Sequence, residues 1–264
     1  MTRSDFTTRC AAFRKLHESG CFVIPNPWDA GTARYLQHLG FQALATTSSG
    51  FAFSKGLPDD DDSAPRDVVL GHFAEIVAAS ELPVNADFKS GYAQQPEGVA
   101  ENVRRCVETG VAGLSIEDST GDDRTPLYDL PVAVERIKAA RMAIDESGAG
   151  VLLTARAECY LVGHPEPLRE SIRRLQAYAE AGADVLYAPG AREREDIRAI
   201  VAAVRPKPVN IIMISNTGLR VADLAEMGVR RVSEGSALAR AAWSGFIRAA
   251  KAIAEEGSFA GFEG

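Results

Sequence analysis

Eight short apolar runs, helical patterns between them and an unbroken composition predict an α/β fold, with residues 1–264 forming one (β/α)8 barrel of TIM type. A helical stretch over residues 5–18 comes first and is placed to cap the N-terminal mouth. Run 22–26 (FVIPN) leads through Asp29, a fitting N-cap, into a helix over 30–39 with Ala33, Leu36 and Leu39 on one stripe. Runs 43–47 (ALATT), 83–87 (PVNAD) and 113–117 (GLSIE) give the next three strands, with a helix over 98–109 ahead of the last. A long helix over 130–147 carries Val132, Val134, Ile137, Ala140 and Ile144 along one face and precedes run 151–156 (VLLTAR). Helices over 169–180 and 194–204 flank run 184–189 (DVLYAP), and a helix over 221–227 separates runs 208–213 (PVNIIM) and 231–234 (RVSE). The last helix covers 237–255.

Most of these runs are continuously apolar, the pattern of parallel strands covered outside and packed within. Gly40, Gly110, Gly182 and Gly228 each stand just before a strand, where a residue without Cβ can close the preceding helix in the left-handed conformation. Eight such units favour closure into a barrel.

Composition narrows the function. With 29 Lys+Arg against 36 Asp+Glu the net charge is −7, and no basic tract offers itself to nucleic acid or an anionic membrane. No apolar run approaches a membrane span, and the opening MTRSDFTTRC lacks the apolar region of a signal peptide. Cys10, Cys21, Cys106 and Cys159 lie far apart, as expected for reduced thiols in a cytoplasmic protein. A small-molecule enzyme is the expectation.

In such a barrel, chemistry belongs at the C-terminal ends of the strands. Asp87 and Glu117 end neighbouring strands, and hard oxygens there suit Mg²⁺ (or Mn²⁺); equally, each can pair with Lys89 or Arg156 as structural glue. Arg156 ends an apolar strand, where its planar fork meets either a substrate carboxylate or an internal acid, Glu158 or Glu117. Ser48-Ser49-Gly50 reads as a small-residue turn able to aim backbone N–H groups at an oxyanion. Trp28 and Asn210, at other strand ends, are expected to line the substrate. The run Asp59–Asp62 reads as a solvated loop tip, and Cys159, with no His nearby in sequence, as an inert thiol. Lys89 offers a Schiff-base aldolase as a different mechanism.

The stretches PNPWDAGTAR, ATTSSGFAFSKGLPD, VNADFKSGY, LSIEDS, LTARAE and VRRVSEGSALARAAW, in this order, resemble the isocitrate lyase/phosphoenolpyruvate mutase superfamily over nearly the whole chain. The resemblance implies a barrel whose terminal helix is exchanged with a partner subunit in a homodimer or homotetramer. It also implies a Mg²⁺-dependent site for a small α-oxo acid, in which a C–C or C–P bond is made or broken through an enolate. By that resemblance Ser49 and Gly50 donate to the substrate, Asp59 holds a metal-bound water, Asp87 and Glu117 serve the metal, and Arg156 grips substrate. Asn85 stands where the family's first metal acid would be, which keeps open a binding protein or sensor with a degraded metal site. The loop STGDDRTPLYD lacks the Cys and His of the isocitrate and methylisocitrate lyases and the Lys and Asn of the mutase. A carbon–carbon lyase of oxaloacetate decarboxylase type is therefore favoured over phosphomutase or C–P hydrolase.

Overall fold

A computed structural model describes residues 3–59 and 64–262; Asp60, Asp61 and Asp62 of the predicted acidic loop tip lie outside the described residues. The chain alternates as expected. Helix α1 (Arg3–Leu16) precedes β1 (Phe22–Ile24), α2 (Ala30–His38), β2 (Leu44–Ala45), α3 (Ser48–Lys55), α4 (Arg66–Ala79) and β3 (Val84–Asp87). Then come α5 (Pro96–Glu108), β4 (Gly113–Glu117), α6 (Leu130–Ser147), β5 (Leu152–Arg156), α7 (Pro167–Glu180) and β6 (Val185–Tyr187). The chain continues through α8 (Arg194–Ala203), β7 (Val209–Ile212), α9 (Val221–Glu226), β8 (Arg231–Ser233) and α10 (Ala237–Glu256).

All eight strands are parallel, in the order β1-β8-β7-β6-β5-β4-β3-β2. Across the seam between β1 and β2 the Ala45 N–H donates to the Pro25 carbonyl at 2.9 Å, so the sheet is a nearly closed barrel. Seven strands are shorter than their apolar runs at one end or both, while β4 spans its run completely. Asp29 caps α2 as expected, in a reciprocal capping box with Thr32 that contributes about 1 kcal/mol. Gly40, Gly110, Gly182 and Gly228 all take positive φ, from 86° to 101°, one residue beyond the C-cap of a helix.

The helices lay one face each on the barrel: Val99, Asn102, Val103, Cys106 and Val107 of α5 are buried at helical spacing. Helix α1 lies beneath the barrel, with Phe13 fully buried against His17, whose ring also meets Phe22 edge-on. Burying that one phenylalanine stabilises the closure by about 1.5–3 kcal/mol.

Two helices were not expected. The Ser48-Ser49-Gly50 turn is the first turn of α3, which Thr47 caps by accepting from the Gly50 N–H and Gly56 ends with φ 68°. Its small residues have weak helix propensity, so the caps and the packing of buried Phe51 fix it. Helix α4 buries Val69, His72, Phe73, Ile76 and Val77; a histidine and Gly71 within it obscure the apolar stripe in the sequence. At the other end of the chain, α10 buries only Ala239 and leaves Leu238, Phe246, Ile247 and Ile253 exposed.

Candidate active site

Alternation along parallel strands sends every second side chain into the barrel. Asn85 and Asp87 of β3, Ser115 and Glu117 of β4, and Arg156 of β5 all reach one cavity of about 330 Å³ at the C-terminal mouth. The register sets Glu117 opposite Arg156 and Arg156 opposite Tyr187. Asp59, Lys89 and Asn210 line the same cavity. So does Ser49.

Arg156 is the electrostatic centre. Each of its three nitrogens meets a different carboxylate: Asp87 at 2.8 Å, Glu117 at 3.1 Å and Glu158 at 2.9 Å. Burial works against its charge, but Glu117, Glu158 and Asp87 together outweigh that and hold its pKa above the ordinary value. The guanidinium therefore makes the internal pairing that the sequence left as one of two readings, with Glu117, Glu158 and Asp87 together rather than with one of them. Glu158 is itself buried, and desolvation raises its pKa despite Arg156. Behind it, the Glu158 N–H donates to Asp118, an acid also bound by Arg174 and the Tyr178 hydroxyl. One guanidinium stands among three carboxylates, of which Asp87 and Glu117 line the cavity.

The N-terminus of α3 closes one side. Ser48 N–H donates to Asp87 Oδ2 at 3.0 Å, and the Ser49 hydroxyl bonds Asp59. Asp59 in turn lies 3.8 Å from Lys89 Nζ. Gly50 and Trp28, expected at the substrate, are not among the residues that line this cavity. The Gly50 N–H is taken by Thr47 Oγ1, and a Cβ on Gly50 would meet Thr47 Cγ2 at 2.6 Å, so glycine serves packing there. Trp28 N–H faces Thr32 Oγ1 in the α2 cap. Cys159 is fully buried and desolvation pushes its thiol up to about 11, as expected of an inert thiol.

The donor chemistry fits a hard divalent cation. Among the described residues no three His, Cys, Asp or Glu side chains form a ready cluster of ligands. Mg²⁺ needs no such cluster: it keeps several waters and takes one or two carboxylates. Asp87 and Glu117 would supply those, and the neutral Oδ1 of Asn85, buried in the wall, has no hydrogen-bond partner among the described residues.

Sequence reasoning did not single out Arg231 or Arg240. Arg231 and Arg240 line the cavity, and Arg231 could have been found by the argument used for Arg156: a cation inside a short apolar strand.

The phosphoenolpyruvate phosphomutase family model matches residues 13–254. A crystal structure of a Burkholderia cenocepacia J2315 protein, provisionally assigned as a lyase or mutase, superposes with TM-score 0.94 at 48% identity, covering 98% of this chain and 92% of that one. The uncharacterized protein Rv1998c of Mycobacterium tuberculosis (strain ATCC 25618 / H37Rv) is 32% identical over 92% of this chain and 89% of its own length. The oxaloacetate decarboxylase of Pseudomonas putida (strain GB-1) is 31% identical over 86% of this chain and 78% of its own. Sequence and barrel agree along almost the entire chain, which belongs to the phosphoenolpyruvate phosphomutase family of the isocitrate lyase/phosphoenolpyruvate mutase superfamily.

Proposed function

We propose that the protein is a divalent-metal-dependent lyase that breaks a carbon–carbon bond in a short 2-oxo carboxylic acid through an enolate. The observation that carries this reading is the pair of strand-end carboxylates, Asp87 and Glu117, held over one cavity by Arg156. A divalent cation there, held by Asp87 and Glu117 with the Asn85 oxygen and Asp59 nearby, would supply the Lewis acidity that polarises a 2-oxo group. Arg156 positions the two acids. The first turn of α3 presents the Ser49 N–H at a helix N-terminus, where a carboxylate or developing oxyanion is stabilised.

The loop after β4 sets this chain apart from both the isocitrate-type lyases and the phosphomutases. It folds back on itself through a bridge between Ser119 and Leu127 and carries neither the lyase Cys-His pair nor the mutase Lys and Asn. Decarboxylation is the simplest outcome of this site, as the name of the Pseudomonas putida relative suggests. Exposed apolar residues on α10 favour a homodimer or homotetramer in which that helix docks on a second copy. The test is to incubate the protein with Mg²⁺ and a panel of 2-oxo acids and follow products by NMR. Carbon–carbon cleavage of one member supports the reading; release of inorganic phosphate from a phosphonate, with every oxo acid untouched, overturns it.

A further inference from the structure

A residue with a side chain rarely takes a left-handed backbone, yet Lys89 does, with φ 47° just beyond β3. Tyr92, three residues on, does the same with φ 53°. Such strain persists only where the surroundings hold it. Here two buried side chains do so. Arg136 of α6 donates to the carbonyls of Ser90, Ala93 and Gln94, and stands 4.1 Å over the Tyr128 ring. Asn102 of α5 donates to the carbonyls of Gly91 and Tyr92 at 2.9 and 3.0 Å. Five successive carbonyls, from Ser90 to Gln94, are thus taken by one guanidinium and one amide.

The strained loop delivers one side chain to the cavity. The Lys89 carbonyl accepts from the Glu117 N–H at 3.0 Å, which ties the loop to β4. The Lys89 side chain is 12% exposed, lines the cavity, and sets Nζ 3.8 Å from Asp59 Oδ1. The other oxygen of Asp59 receives the Ser49 hydroxyl. Ser49 stands in the first turn of α3 beside Ser48, whose N–H donates to Asp87. Lys89, Asp59 and Ser49 therefore link the strained loop to the N-terminus of α3. Asp59 shares the cavity wall with Asp87 and Glu117, whose charges repel it, and the Lys89 ammonium offsets that repulsion. A glycine would take φ 47° without strain, so what this position supplies is the ammonium rather than the turn.

We propose that Lys89 is a positioning residue: it holds Asp59 at the wall and, through Asp59, fixes the Ser49 hydroxyl and the first turn of α3 at the cavity. The kinetic part of its test rests on the lyase reading above; the structural part does not. The role is distinct from that of a Schiff-base nucleophile, which would form a covalent bond to the substrate.

The test compares Lys89→Met and Lys89→Arg in the wild-type background, and Lys89→Met again in an Asp59→Asn background. Lys89→Met should lower kcat on the order of 10²-fold, as a misplaced site does, and move KM less than about three-fold. Lys89→Arg keeps a cation and should recover to within about ten-fold of wild type. With Asp59→Asn present there is no carboxylate to hold, so Lys89→Met should then cost less than about three-fold. Native kcat in Lys89→Met overturns the proposal, as does a full 10²-fold loss in the Asp59→Asn background. A substrate adduct at Lys89 trapped by borohydride overturns it too. If Lys89→Met does not fold, Lys89→Gly, whose backbone accepts φ 47°, takes its place. Amide hydrogen exchange reads the same linkage without substrate. Lys89→Met should speed exchange at Ser48 and Gly50 about ten-fold while leaving β5 unchanged, and native protection in α3 overturns the proposal. A wild type that leaves every 2-oxo acid untouched removes the lyase reading, and the exchange measurement then decides the role of Lys89 by itself.

Discussion

Replacing Arg156 by lysine keeps the charge and removes the fork. In the native site three separate nitrogens reach Asp87, Glu117 and Glu158 at 2.8, 3.1 and 2.9 Å. A lysine ammonium is one atom at the end of a flexible stem and cannot occupy three corners at once. At least one carboxylate loses its charge-assisted bond, each worth about 1.5–3 kcal/mol, and that acid is left half-buried beside the other two. The expected loss is about 2–4 kcal/mol of stability, a fall in Tm of about 4–16 °C for a chain of this size. Because Asp87 and Glu117 move with it, kcat/KM should drop on the order of 10²-fold. Differential scanning calorimetry and steady-state kinetics on the same preparation give both quantities. A variant with native Tm and crippled turnover would refute the reasoning, since Arg156 would then be gripping substrate rather than arranging the acids. Native kinetics with a lowered Tm would make it scaffold only.

Two further outcomes are expected. Burial raises the Glu234 carboxyl to about 7, against the Asn26 N–H that donates to it at 2.8 Å. Its contribution to stability is full below about pH 4.5 and is lost as pH rises through 7, so wild type carries a cost of on the order of 2–3 kcal/mol at pH 8. Glu234→Gln keeps the acceptor for Asn26 and should be the more stable protein at pH 8, the gap closing towards pH 5 in urea titrations; a gap independent of pH would contradict this. For the assembly, light scattering should show a dimer or tetramer, and Phe246→Asp with Ile247→Asp on the exposed face of α10 should give monomers. A wild-type monomer at micromolar concentration would remove the docking role of that helix.

Much of the barrel was legible because its signals are local. Each apolar run of β3 to β7 is short and bounded, and glycines such as Gly110 and Gly182 stop a helix by a backbone conformation open chiefly to glycine. The α3 helix was not legible, because SSGFAFSK is held by Thr47 and by burial against neighbours distant in sequence. In the site, Asp87, Glu117 and Arg156 stood out as charged residues at the ends of apolar strands. What could not be read was which of the candidate pairs form. Asp87 and Arg156 are 69 residues apart, and their 2.8 Å contact exists only once β3, β4 and β5 lie side by side. Gly50 is close in sequence to lining residues, but a Cβ there would meet Thr47, Trp28 and Ala239 of α10, a packing role that the run of small residues does not reveal.

The central claim is that Asp87 and Glu117 bring a divalent cation to a 2-oxo acid. Turnover of the best substrate should be measured in metal-stripped protein during titration with Mg²⁺, in parallel for wild type and Asp87→Asn. EDTA should abolish wild-type turnover and Mg²⁺ should restore it along a saturable curve, while Asp87→Asn should remain on the order of 10²-fold or more below wild type at every concentration. Full turnover by the metal-free wild type would contradict the claim and leave Asn85, in place of an acid, as the mark of a site that works without metal.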